Sequence, residues 1–128
     1  MSLRDALKVL VVDDMSTSRG ILLQTLDALG ISNVEYADSG ASGMARAQTF
    51  RPHLILSDLH MPEMNGLQLL QQLRGDSATC KVGFILVSGR SDQRAIEAGR
   101  TLGMNNFLPK PFTAADMRAA IEAVVGRL

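Results

Sequence analysis

Four places in the chain set a reactive polar residue directly after a short apolar run. Val9, Leu10, Val11 and Val12 lead into Asp13 and Asp14; residues 54–57 lead into Asp58, residues 82–87 into Ser88, and residues 106–108 through Pro109 into Lys110. Singly, each has a structural reading. An acidic residue after a strand caps the following helix, a serine there is a satisfied buried hydroxyl, and a lysine is a solvated charge. The capping explanation fits the aspartates poorly, because Ser16, Ser39, Asn65, Ser91 and Thr113 offer better-placed caps. As a set, the residues have a chemistry. Three carboxylates on one rim repel one another unless a cation lies between them. Hard oxygen donors select Mg²⁺, which favours a few carboxylates, water and a substrate phosphate over a closed protein cage. A hydroxyl and an ammonium group opposite the metal supply hydrogen bonds and charge neutralisation to a phosphoryl group in transfer. No general base is needed, since an aspartate is an ionised nucleophile near neutral pH.

That chemistry requires elements that bring the four places together. The apolar runs predict strands over residues 8–12, 34–37, 54–57, 82–87 and 106–108. Pro109 weakens the fifth strand and suits a sheet edge, where no ladder donor is lost. Between them lie helical patterns over residues 16–29, with Leu22, Leu26 and Leu29 on one face, and over 41–48, 67–74 and 92–102. Pro62 and Gly66 mark the loop after the third strand. The last helix is announced by a capping pair, Thr113 and Asp116, with Met117, Ala120, Ile121, Val124 and Leu128 at helical spacing. Five β–α units imply a parallel sheet between two layers of helices, with right-handed crossovers. Ligands of such a sheet bind beyond the carboxyl ends of its strands, where all four places fall.

Bulk properties narrow the function further. The 128 residues, 46% apolar and 20% charged, fit one globular domain over 1–128. Thirteen basic and thirteen acidic side chains, interspersed, leave no electrostatic footprint for nucleic acid or a membrane surface. The single cysteine, Cys80, forms no internal disulfide and reads as a bystander thiol in a reducing compartment. The longest apolar run near the N-terminus, Val9 to Val12, is far short of the ~20 residues of a membrane span, so a cytoplasmic protein is expected. No repeat or low-complexity segment is present.

The motifs resemble those of one family. Val11-Val12-Asp13-Asp14, Asp58-Leu59-His60-Met61-Pro62-Glu63-Met64-Asn65-Gly66, Val87-Ser88-Gly89 and Lys110-Pro111-Phe112 occur in this order. From Lys8 to about Val125 the chain resembles the receiver domain of two-component response regulators, in particular the stand-alone chemotaxis type. The resemblance implies a flavodoxin-like (βα)5 three-layer sandwich with strand order 2-1-3-4-5. It also implies that Asp58 is the phosphoacceptor and that Asp13, Asp14, Asp58 and the backbone carbonyl of His60 hold Mg²⁺, partly through water. Ser88 would bind a phosphoryl oxygen and Lys110 would ion-pair with the phosphoryl group, its bond to Pro111 being cis. Such a protein catalyses only its own phosphorylation and dephosphorylation. Its implied partners are a histidine kinase as phosphodonor, a downstream target protein such as the flagellar motor switch, and a phosphatase; the chain itself would be a monomer. Phosphorelay and phosphate-sink receivers, and a receiver-like interaction module that carries no phosphate, share these motifs.

Three positions depart from the family's habit. His60 and Arg90 stand where small polar and acidic residues are common in the family, and the resemblance implies that both side chains would flank the path of the hydrolytic water. Phe107 occupies the position of the family's switch aromatic but lacks a hydroxyl. The surface it would alter, residues 92–102, the fifth strand and the last helix, carries Arg94, Arg100 and Arg118 and would favour an acidic partner. Two other readings of the architecture fare worse. A flavin site could use Ser16, Thr17 and Ser18 as a phosphate loop, but Asp13 and Asp14 repel that phosphate and 4% aromatic content leaves little to stack on the ring. An aspartyl-phosphate phosphatase needs a second aspartate two residues after the nucleophile, where this chain has His60.

Overall fold

The computed structural model describes residues 2–89 and 92–128. Side chains alternate across a strand, so an unbroken apolar run must be covered on both faces. β1 (Val9–Val12) and β3 (Leu54–Asp58) are buried at every position, and β4 (Gly83–Gly89) at all but its last. With β2 (Val34–Ala37) and β5 (Asn106–Lys110) they form one parallel sheet in the order β2-β1-β3-β4-β5, the flavodoxin-like order anticipated above.

The helices are α1 (Leu3–Ala6), α2 (Ser16–Ala28), α3 (Gly40–Phe50), α4 (Gly66–Gly75), α5 (Gln93–Thr101) and α6 (Ala114–Val125). Val9, Val11, Leu54, Leu56, Ile85 and Val87 share one core cluster with Leu22 and Leu26 of α2 and Met117 and Ile121 of α6. The alternate residues Leu10, Val12, Ile55, Phe84 and Leu86 share the other with Ala47 of α3 and Leu69, Leu70 and Leu73 of α4. Arg74 closes the far end of this second layer. Its guanidinium donates to the carbonyls of Cys80, Val82 and Gly103 and to Asn105 Oδ1, so it ties the turns that enter β4 and β5 to α4.

Several boundaries differ from the sequence expectation. β4 runs on to Gly89 and β5 to Lys110, because Ser88 pairs with Pro109 and Gly89 with Lys110. The proline is tolerated because β5 is an edge strand. Ser39, Asn65 and Thr113 cap their helices, accepting the amides of Ser42, Gln68 and Asp116. Ser16 does not. The N-cap of α2 is Met15, whose own amide donates to Asp13 Oδ1 at 3.0 Å, so the carboxylate of Asp13 serves the turn that opens the helix. Ser91, expected to cap α5, lies outside the described residues, as does Arg90; the N-cap there is Asp92. α6 ends at Val125 because Gly126 adopts φ 96°, so Leu128 lies beyond the helix and packs back against the first cluster. α1 was not foreseen: it buries no residue and has no apolar periodicity, only the capping box of Ser2 and Asp5. Among the described residues, no helix is long and apolar enough to cross a membrane.

Candidate functional site

The strand register assembles the rim. Val12 pairs with Ser57, so Asp13 emerges beside Asp58; Asp58 pairs with Val87, so Ser88 emerges on the other side; Gly89 pairs with Lys110. The acceptor candidate is thus flanked by acids from β1 and by a hydroxyl and an ammonium from β4 and β5. Oxygen atoms of Asp13, Asp14 and Asp58 lie within 4.8 Å of one another. Asp13 is fully buried and Asp58 is 6% exposed.

The charges of this cluster are unbalanced. Lys110 Nζ lies 2.9 Å from Asp58 Oδ1 and also donates to Ser18 Oγ at 3.3 Å. Arg19, a second nearby cation among the described residues, donates to the backbone carbonyl of Asp13 and packs over the ring of Tyr36. Asp13 Oδ2 and Asp14 Oδ1 are buried and have no hydrogen-bond partner among the described residues. A buried acceptor left unsatisfied costs about 1–3 kcal/mol, more when it is charged. Burial pushes the Asp58 carboxyl above its ordinary range, and the charge of Asp13 adds to this, while the hydrogen bond and charge of Lys110 oppose it. The ready ionisation expected from the sequence is therefore resisted by the fold. A hard divalent cation among the three acids would satisfy the orphaned oxygens and restore the charged form, so the donor set fits Mg²⁺.

Backbone geometry holds Asp58 tightly. α4 begins directly under β3, and a Cβ on Gly66 would stand 2.4 Å from the carbonyl oxygen of Asp58. The Gly66 amide donates to the Leu59 carbonyl at 2.9 Å, and Ser57 Oγ donates to the Asp58 carbonyl at 2.9 Å. The bond between Lys110 and Pro111 is cis, as the motif implied.

The remaining predicted residues are placed less simply. His60 follows Asp58 on its loop with its side chain 75% exposed and outside the carboxylate cluster, Nε2 being 3.5 Å from Asp92 Oδ2. Ser88 is 1% exposed, and its hydroxyl donates to Asp92 Oδ2. Phe107 is half-buried and packs against the second core cluster. Sequence reasoning passed over Asp92 and Ser18. Asp92 read as the start of a helix and Ser18 only as part of a flavin phosphate loop that Asp13 and Asp14 disfavour; neither has a strand end to mark it.

Residues 9–122 match the family described as the response regulator receiver domain. The chain belongs to this family. Receiver domains are phosphorylation-controlled signalling switches rather than conventional enzymes. This receiver domain is 43% identical over 129 residues to a protein of Rhizobium etli named "Probable chemotaxis protein CheY", covering 100% of this chain and 99% of that one. Its fold superposes on the chemotaxis protein CheY4 of Vibrio cholerae with a TM-score of 0.85 and 29% identity, over 92% of this chain and 98% of that one. It also matches the receiver domain of a sensor histidine kinase from Pseudomonas aeruginosa, with a TM-score of 0.84 and 24% identity, over 94% and 98% of the two chains. That protein carries a magnesium ion coordinated in its active-site cleft.

Proposed function

We propose that residues 1–128 act as a single phosphoacceptor unit in which Asp58 takes a phosphoryl group from a histidine kinase. One observation carries this reading: a nearly buried carboxylate stands between two acids with orphaned oxygens and a lysine at 2.9 Å. A carboxylate oxygen of Asp58 attacks phosphorus in line, the P–N bond to the donor histidine breaks as the new P–O bond forms, and the imidazole leaves with the electron pair. Lys110 is placed to follow the charge from the carboxylate onto the phosphoryl oxygens, and Ser18 steadies its ammonium. Ser88 supplies a hydrogen bond to a phosphoryl oxygen. Asp13, Asp14, Asp58 and the carbonyl of His60 would hold Mg²⁺, which neutralises the carboxylates and the incoming anion.

The relatives named for chemotaxis support an output in that process, which we propose runs in the cytoplasm through protein contacts. The face built by α5, β5 and α6 suits this role, since Arg94 and Arg100 are exposed to an acidic target, while Arg118 is paired with Glu122. Incubation with acetyl phosphate and Mg²⁺ should add one phosphoryl mass to the intact chain. Asp58→Asn or EDTA should abolish the addition, because a neutral amide is a poor nucleophile and uncompensated carboxylates repel the donor. Single-site labelling that persists in Asp58→Asn would overturn the assignment.

A further inference from the structure

Ser88 offers one hydroxyl proton, and a hydroxyl can donate only one hydrogen bond at a time. That proton is directed at Asp92 Oδ2. Buried Ser88 therefore cannot serve a phosphoryl oxygen and Asp92 together. We infer that Asp92 is a positioning residue that holds the Ser88 hydroxyl back from the phosphoryl site, so that phosphorylation must exchange this partner for a new one. The inference rests on the role proposed above for Ser88.

Asp92 has somewhere else to go. Aspartate is among the best N-cap residues, and Asp92 is the N-cap of α5, yet its side chain makes no capping bond. The helices capped by Ser39, Asn65 and Thr113 begin from extended backbones with ψ of 164°, 174° and 169°, whereas Asp92 sits at φ −85°, ψ 52°. Its carboxylate is engaged by Ser88 instead, with His60 Nε2 3.5 Å away. Asp92 also lines a groove of about 700 Å³ beside Leu59, His60, Asn65 and Leu67, so the side chain has room to turn. A phosphoryl group on Asp58 biases the exchange twice: it competes for the Ser88 proton and repels the Asp92 carboxylate. Once released, that carboxylate can accept the amides in the first turn of α5, which have no partner among the described residues. Two hydrogen-bonded states of one side chain thus connect the acceptor to the helix that carries Arg94 and Arg100.

The test uses the whole chain with Mg²⁺ and beryllofluoride, a mimic of the bound phosphoryl group, titrated by NMR. Ser88→Ala should weaken beryllofluoride binding. Asp92→Ala should tighten it about tenfold or more, the worth of one hydrogen bond to an ionised acceptor plus relieved repulsion. In the Ser88→Ala background the same substitution should give a clearly smaller gain, which measures repulsion alone. Asp92→Asn, which keeps an acceptor for Ser88 without the charge, should fall between wild type and Asp92→Ala. In the wild type, beryllofluoride should also shift the amides of Arg94 and Ala95 downfield, and in Asp92→Ala it should not. An equal gain from Asp92→Ala in both backgrounds overturns the inference and leaves Asp92 a mere charge. If Ser88→Ala leaves binding unchanged, it is the role of Ser88 that fails.

Discussion

The contact between α4 and the acceptor strand yields the sharpest prediction. In Gly66→Ala the new methyl would stand 2.4 Å from the Asp58 carbonyl oxygen, 3.2 Å from Leu59 Cα and 3.0 Å from Leu86 Cδ1. Two of these neighbours are backbone, and real Cβ contacts essentially never fall below 3.0 Å, so the acceptor strand or the helix has to yield by more than half an ångström. Overpacking of this kind costs about 1–3 kcal/mol, and rigid backbone places it toward the upper end. The gain from replacing glycine in a helix offsets ~0.5–1 kcal/mol. A net loss of about 2 kcal/mol corresponds to a urea midpoint lower by roughly 1 M at a typical denaturant slope, followed by far-ultraviolet circular dichroism. Because the displaced oxygen belongs to the proposed acceptor, Asp58, phosphorylation by acetyl phosphate should also slow by about tenfold or more. Two further glycines calibrate the reasoning. Gly20 has nothing within 4 Å of a built Cβ, so Gly20→Ala should stabilise by ~0.5–1 kcal/mol. Gly99 faces Met104 Sδ at 2.5 Å, but a thioether can swing aside, so Gly99→Ala should cost less than Gly66→Ala and leave phosphorylation intact. A Gly66→Ala protein with an unchanged midpoint and rate, or a Gly99→Ala protein that loses as much, would refute the argument.

Three other expectations follow from the same geometry. The folded-state pKa of Asp58 is raised, so the stability its proton contributes is present below the unfolded pKa and lost as pH rises through the folded one; in EDTA at neutral pH, Asp58→Asn should melt above wild type, and its advantage should vanish at acidic pH. Mg²⁺ should raise the melting temperature, by ~2.7 kcal/mol of stability at about a hundredfold excess over Kd, and Asp13→Asn should lose most of the effect. Arg74→Ala frees the carbonyls of Cys80, Val82 and Gly103 and should cost about 2–4 kcal/mol in urea melts, with Arg74→Lys recovering little because lysine lacks the planar fork.

The strand-end residues were legible because burial on both faces makes the central strands unbroken apolar runs, and the first polar residue after each run has to lie at the rim. Helix caps were legible at Ser39, Asn65 and Thr113, where the side chain serves its own first turn. At Ser16 the same rule failed, since the carboxylate of Asp13 reaches the turn amide first. The bonds that tune the site were not legible. Ser18 and Lys110 lie 92 residues apart, so only the packed fold brings them within reach, and Ser88 and Asp92, though four residues apart, sit on a strand end and a helix cap rather than on one helix.

Lys110 rides on β5, an edge strand held on one side by β4 and covered by α6, whereas Asp13, Asp14 and Asp58 leave the central strands β1 and β3. Edge elements open locally at lower free energy than the middle of a sheet. Brief detachment of β5 and α6 would carry the lysine away while the three acids stay assembled. The competence to be phosphorylated is therefore less robust than the affinity for a cation. On gentle warming, hydrogen exchange should release the β5 amides before those of β1 and β3, and a chain that still binds Mg²⁺ should already have stopped accepting phosphate.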